Sequence, residues 1–418
     1  MPLIHLKYGR SSIPFEYEDG WFDVLRGLSS PNPRSDAELG QKLDSTIGSA
    51  PLEEIVRPGE TVLMVLPDAT RQTGAGQVVN LLIRRLIANG TGAHDIRIIF
   101  ATGIHRAVTD EEKAQIVTPF IFQRIKTLDH HPRDLMQIAT LGETKEGIPI
   151  EVNRALVEHD RIILVGGITF HYFAGFTGGR KLICPGLASA RTVAATHKLA
   201  FDGETQCRRP GVDSGLLDGN AVHEAFCQVV AKINPAFCVS TIVDDQGRVV
   251  DLFCGHWLAS HRVACDAYAA GHTISISEKR ELVVVSAGGY PHDLNMIQAH
   301  KALESASHAC TEGGHIILLA QCADGFGRSD FLTWFDSDDS RALAEKLCRK
   351  YQVNGQTAWS LLKKAERFEI SFLSDLDKAS VAKMRLRPSK SITDWLRERS
   401  LSKGYILPEG AKYRIRDD

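Results

Sequence analysis

The chain has 418 residues, too many for one ordinary hydrophobic core, so two or three domains are expected. Its 49 Lys+Arg balance 51 Asp+Glu to a formal net charge of -2, which speaks against nucleic acid or an anionic membrane as partner and makes a small-molecule substrate the default. The longest apolar runs, Arg161–Gly167 and His315–Ala320, fall far short of the roughly 20 residues that cross a bilayer.

The opening stretch, MPLIHLKYGRSSIPFEYEDG, alternates like a strand and has neither a basic n-region nor a long apolar h-region. No secretory signal is read there, and a cytoplasmic location is expected. Thr61–Leu66, Asp95–Ala101 and Arg161–Gly166 read as buried strands, with helical spacing over Gln77–Ala88. Such alternation predicts parallel α/β layers. A second set of the same kind runs through Glu281–Ser286, Gly314–Ala320 and Phe368–Ser374, with helices expected over Asp293–Cys310 and Ser340–Lys350. Between the two sets, Gly271–Arg280 is polar and shows no apolar face, so it reads as a linker. The expectation is two α/β domains, 1–270 and 281–418, with 271–280 joining them and the active site in the cleft between. The basic tail from Lys378 to Asp418 reads as surface helix and strand packing back on the body. The nine cysteines include no CxxC pair and read as reduced, mostly buried thiols.

Ligands of open α/β sheets sit beyond the carboxyl ends of strands, so the loops there are where chemistry is sought. After the first strand come Asp68, Thr70 and Arg71, an orienting carboxylate and a guanidinium suited to a substrate carboxylate or phosphate, with a surface ion pair as the plain alternative. After the second comes Gly103-Ile104-His105-Arg106, where His105 is a candidate general base, and then Thr109 as a helix N-cap. The third strand leads into a glycine-crowded stretch from Gly166 to Gly186 that holds His171, Thr177, Gly178, Gly179, Arg180 and Lys181. Glycines let backbone amides approach a phosphate closely, although the stretch fits neither the Walker A pattern nor GxGxxG. Lys181 there is a candidate for binding phosphate or forming a covalent bond. His197 falls near the end of the next helix, where capping is the simpler role. In the second set, Gly288-Gly289-Tyr290-Pro291-His292-Asp293 opens a helix on which Gln298 and Lys301 share a face.

Taken in order, DxTR at Asp68–Arg71, GxHR at Gly103–Arg106, HxxxGxxGGRK at His171–Lys181, Thr196-His197 and GGxPxDxxxxQxxK at Gly288–Lys301 resemble the nickel-dependent lactate racemase family over nearly the whole chain. The resemblance implies an isomerase that racemises a 2-hydroxy acid, lactate or a related, larger one, by proton-coupled hydride transfer. It implies a nickel-pincer nucleotide as cofactor, bound covalently through Lys181, with His197 as the nickel ligand. His105 and His171 become the paired acid and base, Arg71, Gln298 and Lys301 the holders of the substrate carboxylate, and Asp68 an orienting group. Thr70, Thr177, Gly178 and Gly179 are assigned to the cofactor, and cofactor-synthesis proteins become expected partners. The chain departs from the family at Ile297, where tyrosine is usual before the glutamine, and at Gln72, where proline is common, which implies a differently shaped substrate pocket. A sugar-acid epimerase with the same cofactor, a non-catalytic nickel-nucleotide carrier and a pyridoxal-phosphate enzyme with Lys181 as Schiff base are the rival readings.

Overall fold

Val62–Pro67 is an unbroken apolar run in which every residue is buried, the mark of a strand covered on both faces. In the computed structural model, which describes residues 1–28, 31–397 and 403–417, it lies inside a seven-stranded sheet. The order across that sheet is Thr46–Ile47, Val249–Gly255, Phe237–Val243, Arg161–Gly167, Val62–Pro67, Ile96–Ala101, Lys126–Leu128. All neighbours pair parallel except Phe237–Val243 with Val249–Gly255, which form a hairpin. The helix Ala75–Ala88 turns Val78, Val79, Leu82, Ile83 and Leu86 inward at helical spacing, and these join Met64, Leu66, Ile98 and Phe100 in one core.

A second, six-stranded sheet is parallel throughout, in the order Arg387–Ser389, Glu369–Leu373, Cys310–Leu319, Arg280–Ser286, Gly404–Leu407, Phe22–Val24. Helices Met296–Ala309 and Val353–Arg367 share a core with one face of it, while Ile4, Leu6 and Phe15 of the N-terminal hairpin cover the other. Val283 and Val285 face the helices and Val284 faces the hairpin, as the two-residue period of a strand requires.

The chain divides into two compact units. One, called the site unit below, is Ser29–Ala200 with Pro210–Ala270; the companion unit is Met1–Leu28, Phe201–Arg209 and Gly271–Asp418. This differs from a simple split into 1–270 and 281–418, because Phe22–Val24 closes the edge of the companion sheet. Nor is 271–280 a plain linker. Thr273–Ile276 forms a strand paired in parallel with Arg414–Asp417, an edge partner that polar alternation alone could not reveal. Of the tail read from Lys378 onward, 398–402 and 418 lie outside the described residues; the rest contributes the helices Lys378–Lys383 and Ile392–Arg397 and three strands. All nine cysteines are free thiols. Among the described residues no helix is long and apolar enough to cross a membrane.

Candidate active site

Arg161–Gly167, Val62–Pro67 and Ile96–Ala101 are adjacent and parallel, so the loops leaving their carboxyl ends emerge side by side at one edge of the sheet. Asp68 opens the middle loop and is buried. Its Oδ1 accepts the Thr70 amide at 3.1 Å and the Thr70 hydroxyl at 2.6 Å, while Oδ2 lies 2.7 Å from His105 Nδ1. Burial works to raise the Asp68 pKa, but the His105 hydrogen bond and charge, with help from Arg71 and Thr70, hold it down to about 2. An ionised carboxylate can only accept, so the proton of a neutral His105 sits on Nδ1 and Nε2 presents a lone pair. The ring is 51% exposed and open to a substrate. Gly103, at φ +56, makes the turn that delivers His105, and its amide donates to the Gly186 carbonyl at 2.8 Å. Arg71 is half-buried and, among the described residues, its guanidinium has no hydrogen bond or ion pair.

In the third loop Phe170–His171 pairs with Gly175–Phe176 as a two-residue antiparallel ladder. Gly175 has φ +74, and a Cβ there would meet the Leu216 carbonyl at 2.2 Å, so glycine is required. His171 is buried, with its Nδ1 accepting the Ala174 amide at 3.3 Å. A neutral His171 therefore carries its proton on Nε2, the opposite tautomer to His105. Phe173 meets the His171 ring edge-on at 4.4 Å. Thr177, assigned to the cofactor by the resemblance, also ties its own loop together. Its hydroxyl donates to the Gly167 carbonyl and accepts the Thr169 amide, both at 2.8 Å, so it fastens the loop, as Thr70 fastens Asp68. Gly178 and Gly179, at φ +71 and +47, then lead into a single 3₁₀ turn, Gly179–Leu182, that carries Arg180 and Lys181.

Lys181 Nζ lies 5.6 Å from the ring centroids of both Phe173 and Phe226. The same two rings flank His197, in the last turn of Ala190–Lys198, at 5.1 and 5.6 Å. Burial, then the charge of Lys181, push the His197 pKa down to about 3 against the pull of the Val193 carbonyl one turn back. Among the described residues its Nδ1 has no hydrogen-bond partner. A buried imidazole kept neutral, with a ring nitrogen unspent and an amine beside the same aromatic pair, suits a covalently held group that carries a borderline-soft metal such as nickel. Phe173 sits at an unassigned position of the His171–Lys181 motif and Phe226 on the separate helix Ala221–Ile233, so no spacing in the sequence announces either.

The structure thus gathers Asp68, Thr70, Arg71, His105, His171, Thr177, Gly178, Gly179, Lys181 and His197 within the site unit. Gln298 and Lys301 belong to the companion unit, on the first turns of Met296–Ala309, where Lys301 Nζ donates to Gln298 Oε1 at 2.6 Å. Ile297 beside them is partly buried against the core of its own unit, and Gln72 is exposed.

Family models described as the lactate racemase N-terminal domain and the lactate racemase C-terminal domain match residues 8–207 and 276–405. A lactate racemase of Thermoanaerobacterium thermosaccharolyticum is 29% identical over 352 residues, covering 83% of this chain and 81% of that protein. A lactate racemase of Lactiplantibacillus plantarum is 28% identical over 425 aligned positions, covering 98% and 99%. The solved structure of the Thermoanaerobacterium thermosaccharolyticum lactate racemase apoprotein superposes with a TM-score of 0.90 at 26% identity, over 99% of this chain and 100% of that one. A protein from Thermotoga maritima shares the fold, with a TM-score of 0.72 at 19% identity over 94% and 100% of the two chains.

Proposed function

Since the chain belongs to the lactate racemase family and is an isomerase, we propose that it interconverts the enantiomers of lactate or of a related, larger 2-hydroxy acid. The observation that supports this best is the opposite state of two imidazoles. Held by Asp68, His105 offers a lone pair on Nε2, and His171, held by the Ala174 amide, offers a proton on Nε2. Inverting a carbon that bears a hydroxyl requires one group to take the hydroxyl proton and another to return one on the opposite side. For one enantiomer His105 takes the proton and His171 gives; for the other the roles exchange. A carrier protein has no use for such a pair. Arg71, whose guanidinium is unpaired, is assigned with Gln298 and Lys301 to the substrate carboxylate.

The cofactor we assign is a nickel-pincer nucleotide, attached through Lys181, with His197 as nickel ligand and the backbone at Gly178 and Gly179 cradling its phosphate. Thr70 and Thr177 serve it through the loops they fasten. Once bound, such a group supplies an acceptor that takes the C2 hydrogen as a hydride and gives it back. Phe173 and Phe226 line the partly buried Lys181 and enclose the buried His197. We place the protein in the cytoplasm, with cofactor-synthesis proteins as its partners.

The test uses protein produced alongside the cofactor-synthesis machinery and incubated with single enantiomers of lactate, larger 2-hydroxy acids and sugar acids. Chiral chromatography should show racemisation of a 2-hydroxy acid, and peptide mapping should find an adduct on Lys181. Nickel should be lost from His197→Ala and kept in His105→Ala. In heavy water C2 should stay unlabelled through the first turnovers. Active protein with unmodified Lys181, equal nickel in both variants, or deuterium at C2 would overturn the corresponding assignment.

A further inference from the structure

Arg180 precedes the lysine assigned to the cofactor, yet it is fully buried and faces no ligand space of its own. Among the described residues no carboxylate pairs with it. Its Nη2 donates to the Ala174 carbonyl at 2.6 Å and its Nη1 lies 2.9 Å from His261 Nε2. His261, on the helix Ala259–His272, is 1% exposed. The same Nε2 is 2.9 Å from the Thr177 carbonyl, and a Cβ on Gly179 would strike the His261 ring at 2.5 Å. One imidazole therefore underlies the backbone of the loop at Thr177, Gly179 and Arg180. A guanidinium can only donate and a carbonyl can only accept, so Nε2 bonds one of the two at a time. As the acceptor for Arg180 it carries no proton, the ring proton sits on Nδ1, facing Cys265 Sγ at 3.6 Å, and the Thr177 carbonyl is a packing neighbour rather than a hydrogen-bond partner. Burial, then the charge of Arg180, keep the ring neutral, as an acceptor must be.

The far end of this chain of bonds matters most. Ala174, whose carbonyl takes the Arg180 hydrogen bond, is the residue whose amide sets the tautomer of His171. We propose that Arg180, seated on His261, is a positioning pair that clamps the 171–181 loop and so sets both His171 and the amine of Lys181. This deepens the racemase reading and rests on it, because the value of the clamp lies in the two residues it holds. It also explains why a cation stands buried without a counter-ion. A carboxylate here would draw Arg180 off the Ala174 carbonyl, whereas a neutral imidazole accepts one hydrogen and leaves the other to the backbone.

The test compares His261→Phe, which fills the space without an acceptor, with His261→Gln, whose side-chain oxygen can replace Nε2. Arg180→Lys and Arg180→Met form a second pair. Hydrogen exchange of the protein without cofactor, followed by mass spectrometry, reads the 170–182 segment, with peptides of the 280–320 region as internal control. In His261→Phe the segment should exchange about tenfold faster or more, the scale of losing a hydrogen bond to a charged group, while the control peptides do not change. His261→Gln should restore most of the protection. On protein made with the cofactor machinery, the Lys181 adduct should fall in the same order. Unchanged exchange of 170–182 in His261→Phe, or no difference between the Phe and Gln variants, overturns the clamp. Should Arg180→Met fail to fold, the His261 pair and Arg180→Lys carry the same decision. If the wild-type protein gains no adduct and racemises nothing, the racemase reading falls by that result, while the exchange data still decide the clamp.

Discussion

Each unit has a deeply buried charged cluster, and the two are built in opposite ways. In the companion unit, Glu304 on Met296–Ala309 is ion-paired to Arg208 at 2.7 Å and to Lys364 of Val353–Arg367 at 2.5 Å. Burial opposes its ionisation, but the two cations hold Glu304 well below its usual range. In the site unit, Arg180 has only neutral company. Burial, then Arg180 itself, push the His223 pKa down to about 3, and burial pushes the Cys227 thiol up to about 11. The first arrangement gives each cation the same carboxylate as partner and ties a strand to two helices. The second leaves a positive interior beside the candidate site, which suits a protein that is to receive a substrate carboxylate and a cofactor phosphate.

The sharpest way to separate the two units is acid. His130, His197, His223 and His261 of the site unit are all buried and neutral, with burial lowering their pKa values to about 4, about 3, about 3 and well below normal; in the companion unit His300 stands at about 3. A folded-state pKa below the unfolded value of about 6.5 means that the unfolded chain takes up protons first, so their contribution to stability is present above pH 6.5 and is lost as pH falls towards 4. Each group contributes a slope of up to about 1.4 kcal/mol per pH unit, so the site unit should weaken by several kcal/mol between pH 7 and pH 5. Urea unfolding at both pH values, followed unit by unit with hydrogen exchange, should show the site unit opening first. Simultaneous opening would break the comparison.

Next in size, Glu304→Gln strands Lys364 and Arg208 in the companion interior and should cost about 3–5 kcal/mol in urea unfolding. Arg180→Met removes a cation that had no ion pair and should cost less than half as much. Equal losses would show that the two burials are alike after all.

Asp68→Asn probes function rather than stability. Both Thr70 donors face Oδ1, so the amide oxygen settles there and the NH₂ turns to His105 Nδ1. The His105 proton then moves to Nε2 and the base is lost. Turnover should fall about 100-fold or more, some 2.7 kcal/mol, with little change in unfolding. Thr70→Val keeps the amide and loses only the hydroxyl, so a loss of several-fold in turnover is expected, close to the ~1 kcal/mol of one hydrogen bond. An equal effect of the two would mean that Thr70, not the carboxylate charge, orients the ring.

Much of this was legible in the sequence because it is local. The expected strands Thr61–Leu66, Asp95–Ala101 and Arg161–Gly166 fall within one residue of those observed, and Thr109 caps its helix with the reciprocal Glu112 bond that the spacing allows. Asp68, His105 and Lys181 stand in loops beyond strands, where parallel sheets place chemistry. What escaped is what depends on distant partners. Nothing near Phe22–Val24 says that it pairs with Gly404–Leu407, and nothing near Thr273–Ile276 announces Arg414–Asp417. Nothing in the residues around His261 marks it out, because its contacts are to a loop some eighty residues earlier. The bonds that Thr177 makes to Gly167 and Thr169 were likewise not legible, because they depend on how the loop folds back on itself.

The pairing of Phe22–Val24 with Gly404–Leu407 also bears on how the protein is made. That edge strand leaves the ribosome early, yet its partner follows roughly 380 residues later, a wait of about 20–80 s at about 5–20 residues per second. The N-terminal hairpin, with Ile4, Leu6 and Phe15, waits in the same way for Leu282, Val284, Ile317 and Leu319 of its sheet, while the site unit, whose segments lie between, can already close. Nascent chains stalled before the strand Cys310–Leu319 is made should therefore hold a protease-resistant site unit and a hairpin still open to cleavage, and neither unit can be cloned as an uninterrupted stretch of the gene.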